Sequence, residues 1–415
     1  MNKLYGNAVV GQSGGPTCAI NATLSGVIRG AIELNKKGEI GTLYGMKNGI
    51  EGMLKENLVD LTAEFANEEN LLLLENTPAA ALGSCRKKLP KPDADDGTYE
   101  QLLAIFKKYN IRYFFYIGGN DSMDTVAKLS AYTKKHDYEM RIVGVPKTID
   151  NDLVGTDHTP GFGSCAKYIG TTIKEIIRDC AVYTKKAVTI VEIMGRDAGW
   201  LTASSGLPFF LSGEGPDLIY LPERVFDMQE FFASVREKLE EHPNVVVAIS
   251  EGIRLADGTY VGDATKGKNL DAFGHTQLSG AGKVLEMAVK DEIGCKVRSV
   301  ELNITQRCAS HIASKTDLSE SVRVGKTAVK MACKGRSGVM MCMVRKQTEK
   351  GNYTMHVKAS AVSKIANKIK IVPDNYINEA GNYITKECAE YLAPLVLGEP
   401  KLKYKDGLPV HYVIK

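Results

Sequence analysis

The chain has 415 residues, 44% hydrophobic and 25% charged, with a formal net charge of +4, a length that suits two ordinary domains or one large one. So small a charge argues against a nucleic-acid-binding tail or a polybasic membrane segment, and no apolar run approaches the ~18 residues of a spanning helix. The start runs through Leu4-Tyr5-Gly6 into a strand with no signal-peptide core, and nine cysteines without a Cys-x-x-Cys pair read as reduced thiols of a cytoplasmic protein.

Strand-like and helix-like segments alternate from there. Asn7 to Gly11 predicts a strand and Ile20 to Leu34 a helix. Between them lies Gly11-Gln12-Ser13-Gly14-Gly15-Pro16-Thr17, a turn whose glycines let backbone N–H groups approach an anion. It has neither the dinucleotide spacing nor the lysine of a P-loop. Next comes Leu82-Gly83-Ser84-Cys85-Arg86-Lys87-Lys88, with three clustered cations. A guanidinium such as Arg86 clamps phosphate oxygens in pairs, although a solvated loop has the same composition. Lys91 to Gly97 predicts an exposed loop and Tyr99 to Lys108 a helix. The apolar run Arg112-Tyr113-Phe114-Phe115-Tyr116-Ile117 predicts a strand ending in Gly118-Gly119-Asn120-Asp121-Ser122, with Ser122 as the N-cap of a helix to Lys135.

Arg141-Ile142-Val143-Gly144-Val145 predicts the next strand. It ends in Pro146-Lys147-Thr148-Ile149-Asp150-Asn151-Asp152. Ser164 to Cys180 predicts a helix. Val188 to Ile193 predicts a strand that ends in Met194-Gly195-Arg196-Asp197-Ala198-Gly199. Met228 to Glu241 is amphipathic, with Phe231, Phe232, Val235 and Leu239 on one side. Asn244 to Ser250 predicts a buried strand, followed by Glu251-Gly252. Arg298 and Arg307 add cations. Val324-Gly325-Lys326-Thr327 looks like a P-loop in isolation, but Glu320 stands where the first glycine belongs and the surroundings read as helix. Gly338 to Val344 predicts a further strand, and periodicity weakens after Ala380.

This alternation implies mostly parallel sheets with helices on both faces, and the length implies two of them with a cleft between. Ligands bind at strand ends in such folds. Here two strand ends combine glycines with Asp121, Asp150, Asp152 and Lys147, which suits a phosphorylated substrate, a metal ion and a base. Carboxylates as close as Asp150 and Asp152 divide labour, one as base and one on metal. A calcium loop is the alternative, but its terminal Glu is absent. The seven histidines, His158 among them, lack metal-ligand spacing and read as structural.

The Gly118–Ser122 and Pro146–Asp152 segments, in order with the other strand ends, resemble the active-site signatures of the phosphofructokinases. The resemblance runs from Gly6 to about Met343. It implies two Rossmann-like three-layer α/β domains, a mostly parallel sheet in each, and the active site in the cleft between them. Residues 1–161 plus about 307–345 would bind the phosphoryl donor. Residues 162–306 plus part of the C-terminal segment would bind the sugar phosphate, and 346–415 would be a family-variable region.

The same resemblance implies Asp150 as the base for the 1-hydroxyl of fructose 6-phosphate, supported by Asp152, with Thr148 and Arg196 in the catalytic set. Gly11, Gly14, Gly15, Arg86, Asp121, Ser122 and Lys147 fall on the donor side. Lys186, Met194, Gly195, Glu251, Arg298 and Arg307 fall on the sugar side, with Thr148, Asp150 and Arg196. In the family, one of the two arginines and a basic residue near Lys186 come from a neighbouring subunit. A homodimer or homotetramer with shared active sites is therefore implied.

Two positions address the donor. ATP-dependent relatives usually carry glycine where this chain has Asp121 and Lys147. A carboxylate at 121 would block a nucleotide's α-phosphate by bulk and like charge, and Lys147 is a point cation suited to a compact polyanion. Both imply pyrophosphate, with Mg2+, in a reversible transfer that yields fructose 1,6-bisphosphate and phosphate. Three departures stand out. The family's metal-binding Asp is Asn120, which leaves the metal to Asn120 or Asp121. A sugar-binding His is Ile304, which leaves longer sugars such as sedoheptulose 7-phosphate open. Ser25 replaces an effector-binding arginine, although Arg29 remains, which implies no regulation by ADP or phosphoenolpyruvate. The alternatives are an ATP-dependent enzyme, a catalytically silent regulatory subunit and a Rossmann dehydrogenase. Asp121 and Lys147 oppose the first, intact Asp150, Asp152, Arg196 and Glu251 the second, and the missing fingerprint the third.

Overall fold

The computed structural model describes residues 4–91, 96–262, 280–349 and 351–414. Its apolar runs pair into two large sheets. The first contains β1 (Asn7–Gln12), β2 (Leu43–Met46), β3 (Leu58–Asp60), β4 (Ile111–Gly118) and β5 (Arg141–Pro146). The second contains β6 (Ala187–Ile193), β7 (Leu218–Tyr220), β8 (Asn244–Ser250) and β9 (Lys296–Glu301). The chain then returns to the first sheet as β10 (Val339–Gln347) and β11 (Tyr353–Ala361). Strand order is β11-β10-β5-β4-β1-β2-β3 in the first sheet and β7-β8-β6-β9 in the second. Neighbours are parallel, except the edge pairs β2–β3 and β10–β11.

Parallel strands covered on both faces read as unbroken apolar runs. Tyr113 to Ile117 in the central strand are accordingly no more than 2% exposed. Helices Ile20–Asn35 and Lys315–Cys333 pack on one face of the first sheet, Thr98–Lys108 and Asn120–Lys135 on the other. Phe162–Cys180 and Lys386–Leu392 cover one face of the second sheet, Met228–Glu241 and Ala281–Ile293 the other. Each sheet is thus the middle of three layers.

The first and the Lys315–Cys333 helices cross at glycines. A Cβ on Gly26 would lie 2.1 Å from the Val322 carbonyl oxygen, and one on Gly325 would lie 2.2 Å from that of Thr23. Close helix packing therefore explains Gly325 in the P-loop lookalike, and Lys326 pairs with Glu33 at 2.9 Å.

Some expectations need correction. The helix after β4 starts at Asn120 with Gly119 at its cap. Ser122 is not the N-cap; it is buried in the first turn, where a Cβ on Gly118 would come 1.9 Å from its Oγ. β9 escaped notice because Lys296–Glu301 is a half-exposed edge strand of mixed polarity. The weakly periodic tail has a structural task. Its helix Lys386–Leu392 fills the second core, and Tyr412 packs on Phe65 of the first with ring centroids 5.0 Å apart. His158 is structural as expected, held between Asp157 at 2.8 Å and Glu320 at 2.7 Å. Burial opposes its charge, but hydrogen bonds to those carboxylates outweigh that and raise its pKa.

Strand order reverses between β1 and β4, since β1 is followed by β2 on its other side. Such a reversal opens a crevice at the strands' carboxyl ends. The turns after β1, β4, β5, β6 and β8 all reach a single cleft.

Candidate active site

The cleft encloses about 530 Å³ and draws its lining from both sheets. On one side the turn after β1 presents bare backbone. Gly14 has φ +77°, and a Cβ there would come 3.3 Å from Lys147 Nζ; one on Gly15 would come 3.2 Å from Arg307 Nη1. The missing side chains let two cations lean over the turn. Lys147 Nζ donates to the Gly15 carbonyl at 2.7 Å. Burial brings the Lys147 pKa down to about 8, against the opposing pull of Asp150 and Asp152. Arg86 and Lys88 complete this wall, and Lys88 Nζ lies 3.0 Å from Asp121 Oδ1.

The turn after β5 supplies the carboxylates. Thr148 Oγ1 donates to Asp150 Oδ2 at 3.2 Å and accepts the Asp150 N–H at 3.1 Å. Asn151 is left-handed, with φ +55°, and both Asp150 and Asp152 line the cleft. Burial raises the Asp150 pKa although Lys147 pulls it down. Burial, with the neighbouring Asp150 charge, pushes Asp152 up to about 7. A carboxylate raised towards neutrality is a stronger base than an ordinary one.

The second sheet builds the facing wall. Gly195, with φ +139°, donates its N–H to Glu251 Oε1 at 3.1 Å. A Cβ on Gly252 would lie 2.0 Å from the Arg196 carbonyl oxygen, so the turns after β6 and β8 interlock. Burial pushes Glu251 up to about 7. Arg196 Nε is buried with no partner among the described residues. Gln306 Oε1 takes the Met194 N–H at 3.2 Å, which seats the turn on the segment carrying Arg307.

Most of the expected residues meet here. Asp150, Asp152, Thr148, Lys147, Asp121, Ser122, Asn120, Arg86, Gly14 and Gly15 line the cleft together with Met194, Arg196, Glu251 and Arg307. Four others do not. Gly11 lies within β1, where a Cβ would meet the Met46 side chain at 2.5 Å; it serves packing. Gly195 acts through Glu251. Lys186 precedes β6, and Arg298 is paired with Thr189 near the start of β6, so both sit at the end of the second sheet away from the cleft. There Lys186 pairs with Glu240 at 2.5 Å and Arg298 faces Asp179 at 3.8 Å.

Two of these residues have partners that the sequence does not show. Asn120 Oδ1 accepts the Asn367 N–H at 2.9 Å and its Nδ2 donates to the Lys368 carbonyl at 2.7 Å. Asp121 is paired with Lys88, a residue missing from the expected set. Asn367 and Ile369 also line the cleft and were missed. Lys88 had a signal in its basic run. The other two belong to a stretch without a motif, brought in by the pairing of Ile369 with Leu153. Ser25 and Arg29 are both held by Glu75, at 2.7 and 2.8 Å.

No group of three or more His, Cys, Asp or Glu forms a ready metal cage among the described residues. Mg2+ does not need one, since it usually binds one or two carboxylates plus substrate phosphate oxygens. Asp121, Asp150 and Asp152 place hard oxygen donors along one cleft, and that donor set fits the ion.

The phosphofructokinase family profile matches residues 7–332. A pyrophosphate–fructose 6-phosphate 1-phosphotransferase from Xanthomonas campestris pv. campestris is 42% identical over 417 positions, covering 99% of this chain and 96% of that protein. One from Halomonas elongata is 41% identical, covering 97% and 94%. The crystal structure of a pyrophosphate-dependent phosphofructokinase from Nitrosospira multiformis aligns with a TM-score of 0.87 at 38% identity, covering 98% of this chain and 95% of that one. With two three-layer units meeting at this cleft, and with likeness along almost its whole length, the chain belongs to the phosphofructokinase family.

Proposed function

We propose that the protein transfers a phosphoryl group reversibly from pyrophosphate to the 1-hydroxyl of fructose 6-phosphate. The products are fructose 1,6-bisphosphate and phosphate. The observation that carries this reading is the donor wall, where buried Lys147 leans over the Gly14-Gly15 turn and Asp121 occupies the entrance with Lys88. A compact polyanion suits that wall. A nucleotide would bring its α-phosphate against a carboxylate.

Asp150 takes the proton of the sugar hydroxyl. The freed oxygen attacks the terminal phosphorus of pyrophosphate, the bond to the bridging oxygen breaks, and that oxygen leaves with phosphate. Phosphoryl transfer demands little covalent chemistry from a protein, so positioning and charge supply the rate. Lys147, Arg86 and Arg307 supply positive charge, and Thr148 orients Asp150. Arg196 and Glu251 hold the sugar phosphate and its hydroxyls. Mg2+, held by Asp121, Asp150 or Asp152 with the pyrophosphate oxygens, would supply further neutralisation of phosphate charge. Lys186 and Arg298, turned away from their own cleft, serve that of a neighbouring subunit in a homodimer or homotetramer. No described helix is long and apolar enough to cross a membrane, and we assign the enzyme to the cytoplasm.

Pyrophosphate should support turnover and ATP should not. Asp121→Gly should admit ATP weakly, whereas Lys147→Gly should lose pyrophosphate activity without gaining ATP. Steady-state kinetics with both donors check this. Comparable kcat/KM for the two donors in wild type, or the reverse pattern in the variants, contradicts the reading.

Activity should also depend on pH through Asp150, which works as the anion. Its pKa lies above the usual ~4 of a carboxylate, so activity is present above that raised value and lost as pH falls through it. Lys147 lowers this pKa, so Lys147→Met should move the acid limb of the residual activity to higher pH, by about 1 or more. A limb that stays put or moves down would show that the two charges are not coupled.

Shared sites make a further expectation. Chains carrying Asp150→Asn and chains carrying Arg298→Ala should each be weak alone. Co-expressed, their hybrid dimers regain one intact site in two, about a quarter of wild-type activity for random pairing. Activity equal to the mean of the two parents would mean that each cleft is built from one chain.

A further inference from the structure

The segment 367–372 has no part in the chemistry above, yet it is fastened to the cleft-lining turns after β4, β5 and β6. Its Asn367 N–H and Lys368 carbonyl hold the Asn120 side chain at 2.9 and 2.7 Å. Ile369 bridges to Leu153, and the Lys370 N–H donates to the Asp152 carbonyl at 2.7 Å. The Lys370 ammonium donates to the Asp157 carbonyl at 2.7 Å and to Asn151 Oδ1 at 3.2 Å. Trp200 Nε1 donates to the Lys370 carbonyl at 2.9 Å. Val372 gives its N–H to Glu223 Oε1 at 2.9 Å, and the same oxygen takes the Gly199 N–H at 2.8 Å. In chain order, one strap touches the donor turn, the catalytic loop and the sugar turn.

Asn120 suits its end of the strap only as an amide. It faces one N–H and one C=O at once, so it must accept with one atom and donate with the other, which also fixes how the amide points. A carboxylate could accept from Asn367 but would set an oxygen against the Lys368 carbonyl. We infer that Asn120 is a positioning residue whose side chain docks residues 367–370, and through them holds the Asp150–Asp152 loop in register with the donor turn, rather than a ligand of the metal ion.

Hydrogen exchange on the full chain, without Mg2+ or substrate, tests the docking. In both Asn120→Asp and Asn120→Ala, the amides of 367–370 should exchange about tenfold faster or more, the loss expected for roughly one net hydrogen bond. Amides of β4 should keep their protection, which separates undocking from unfolding. Kinetics test the role, and this half rests on the proposed pyrophosphate reaction. Asn120→Asp should lower kcat without lowering the Mg2+ concentration for half-maximal rate. Unchanged exchange in both variants overturns the inference. So does an Asn120→Asp enzyme that keeps its kcat and saturates at severalfold lower Mg2+. A wild-type protein inactive with pyrophosphate would defeat the functional proposal instead, and the exchange result would still decide the docking.

Discussion

Burial of a lysine among carboxylates, at the junction of two sheets, is the constraint on which this molecule turns. Lys147 is buried, and Asp150 and Asp152 sit half-buried beside it in one short loop after β5. Charge in such a place is costly unless opposite charge compensates it. Here the compensation is mutual: burial depresses the lysine and raises the acids, while each pulls the other back. A base raised above the ordinary carboxylate range, beside a cation brought down to about 8, is the result. That is the equipment needed to deprotonate a hydroxyl next to a polyanion.

Everything around the loop keeps it there. Gly14 and Gly15 leave room for Lys147 and Arg307, and Thr148 grips Asp150 twice. The turns after β6 and β8 interlock at Gly252, fixing Glu251 and Arg196 opposite. His158, bridging Asp157 and Glu320, ties the far end of the loop to the Lys315–Cys333 helix. The strap at 367–372 then closes the circuit from the turn after β4 to the turn after β6. Rigid placement of this kind matters because phosphoryl transfer is governed by position and charge.

Much of this was legible in the sequence, for physical reasons. Buried parallel strands announce themselves as apolar runs, so β4, β5, β6 and β8 and the loops behind them could be placed. Loops rich in glycine and carboxylate at strand ends pointed to the cleft. The sequence also separated Gly325 from a true P-loop, because its neighbours were helical. Other features were hidden. Asn120 looked like a weakened metal ligand, since nothing local reveals that residues far along the chain occupy both of its amide atoms. Lys370 and Ile369 carry no motif and reach the site through tertiary contacts, among them pairing with the 152–153 backbone. Gly11 looked like part of an anion turn, but it is fixed by Met46, and that too is a tertiary fact. The family resemblance supplied Lys186 and Arg298; their position at the wrong end of the second sheet for their own cleft follows from strand direction alone.

The central claim is that Asp150 is the base and that its buried partners hold the substrates without it. Its most direct measurement is Asp150→Asn, with calorimetric titration of Mg2+-pyrophosphate and of fructose 6-phosphate beside kcat. The account predicts dissociation constants close to wild type and a rate reduced on the order of 10²–10⁴-fold, the usual contribution of a positioned base. Turnover within about threefold of wild type, with binding intact, would contradict it.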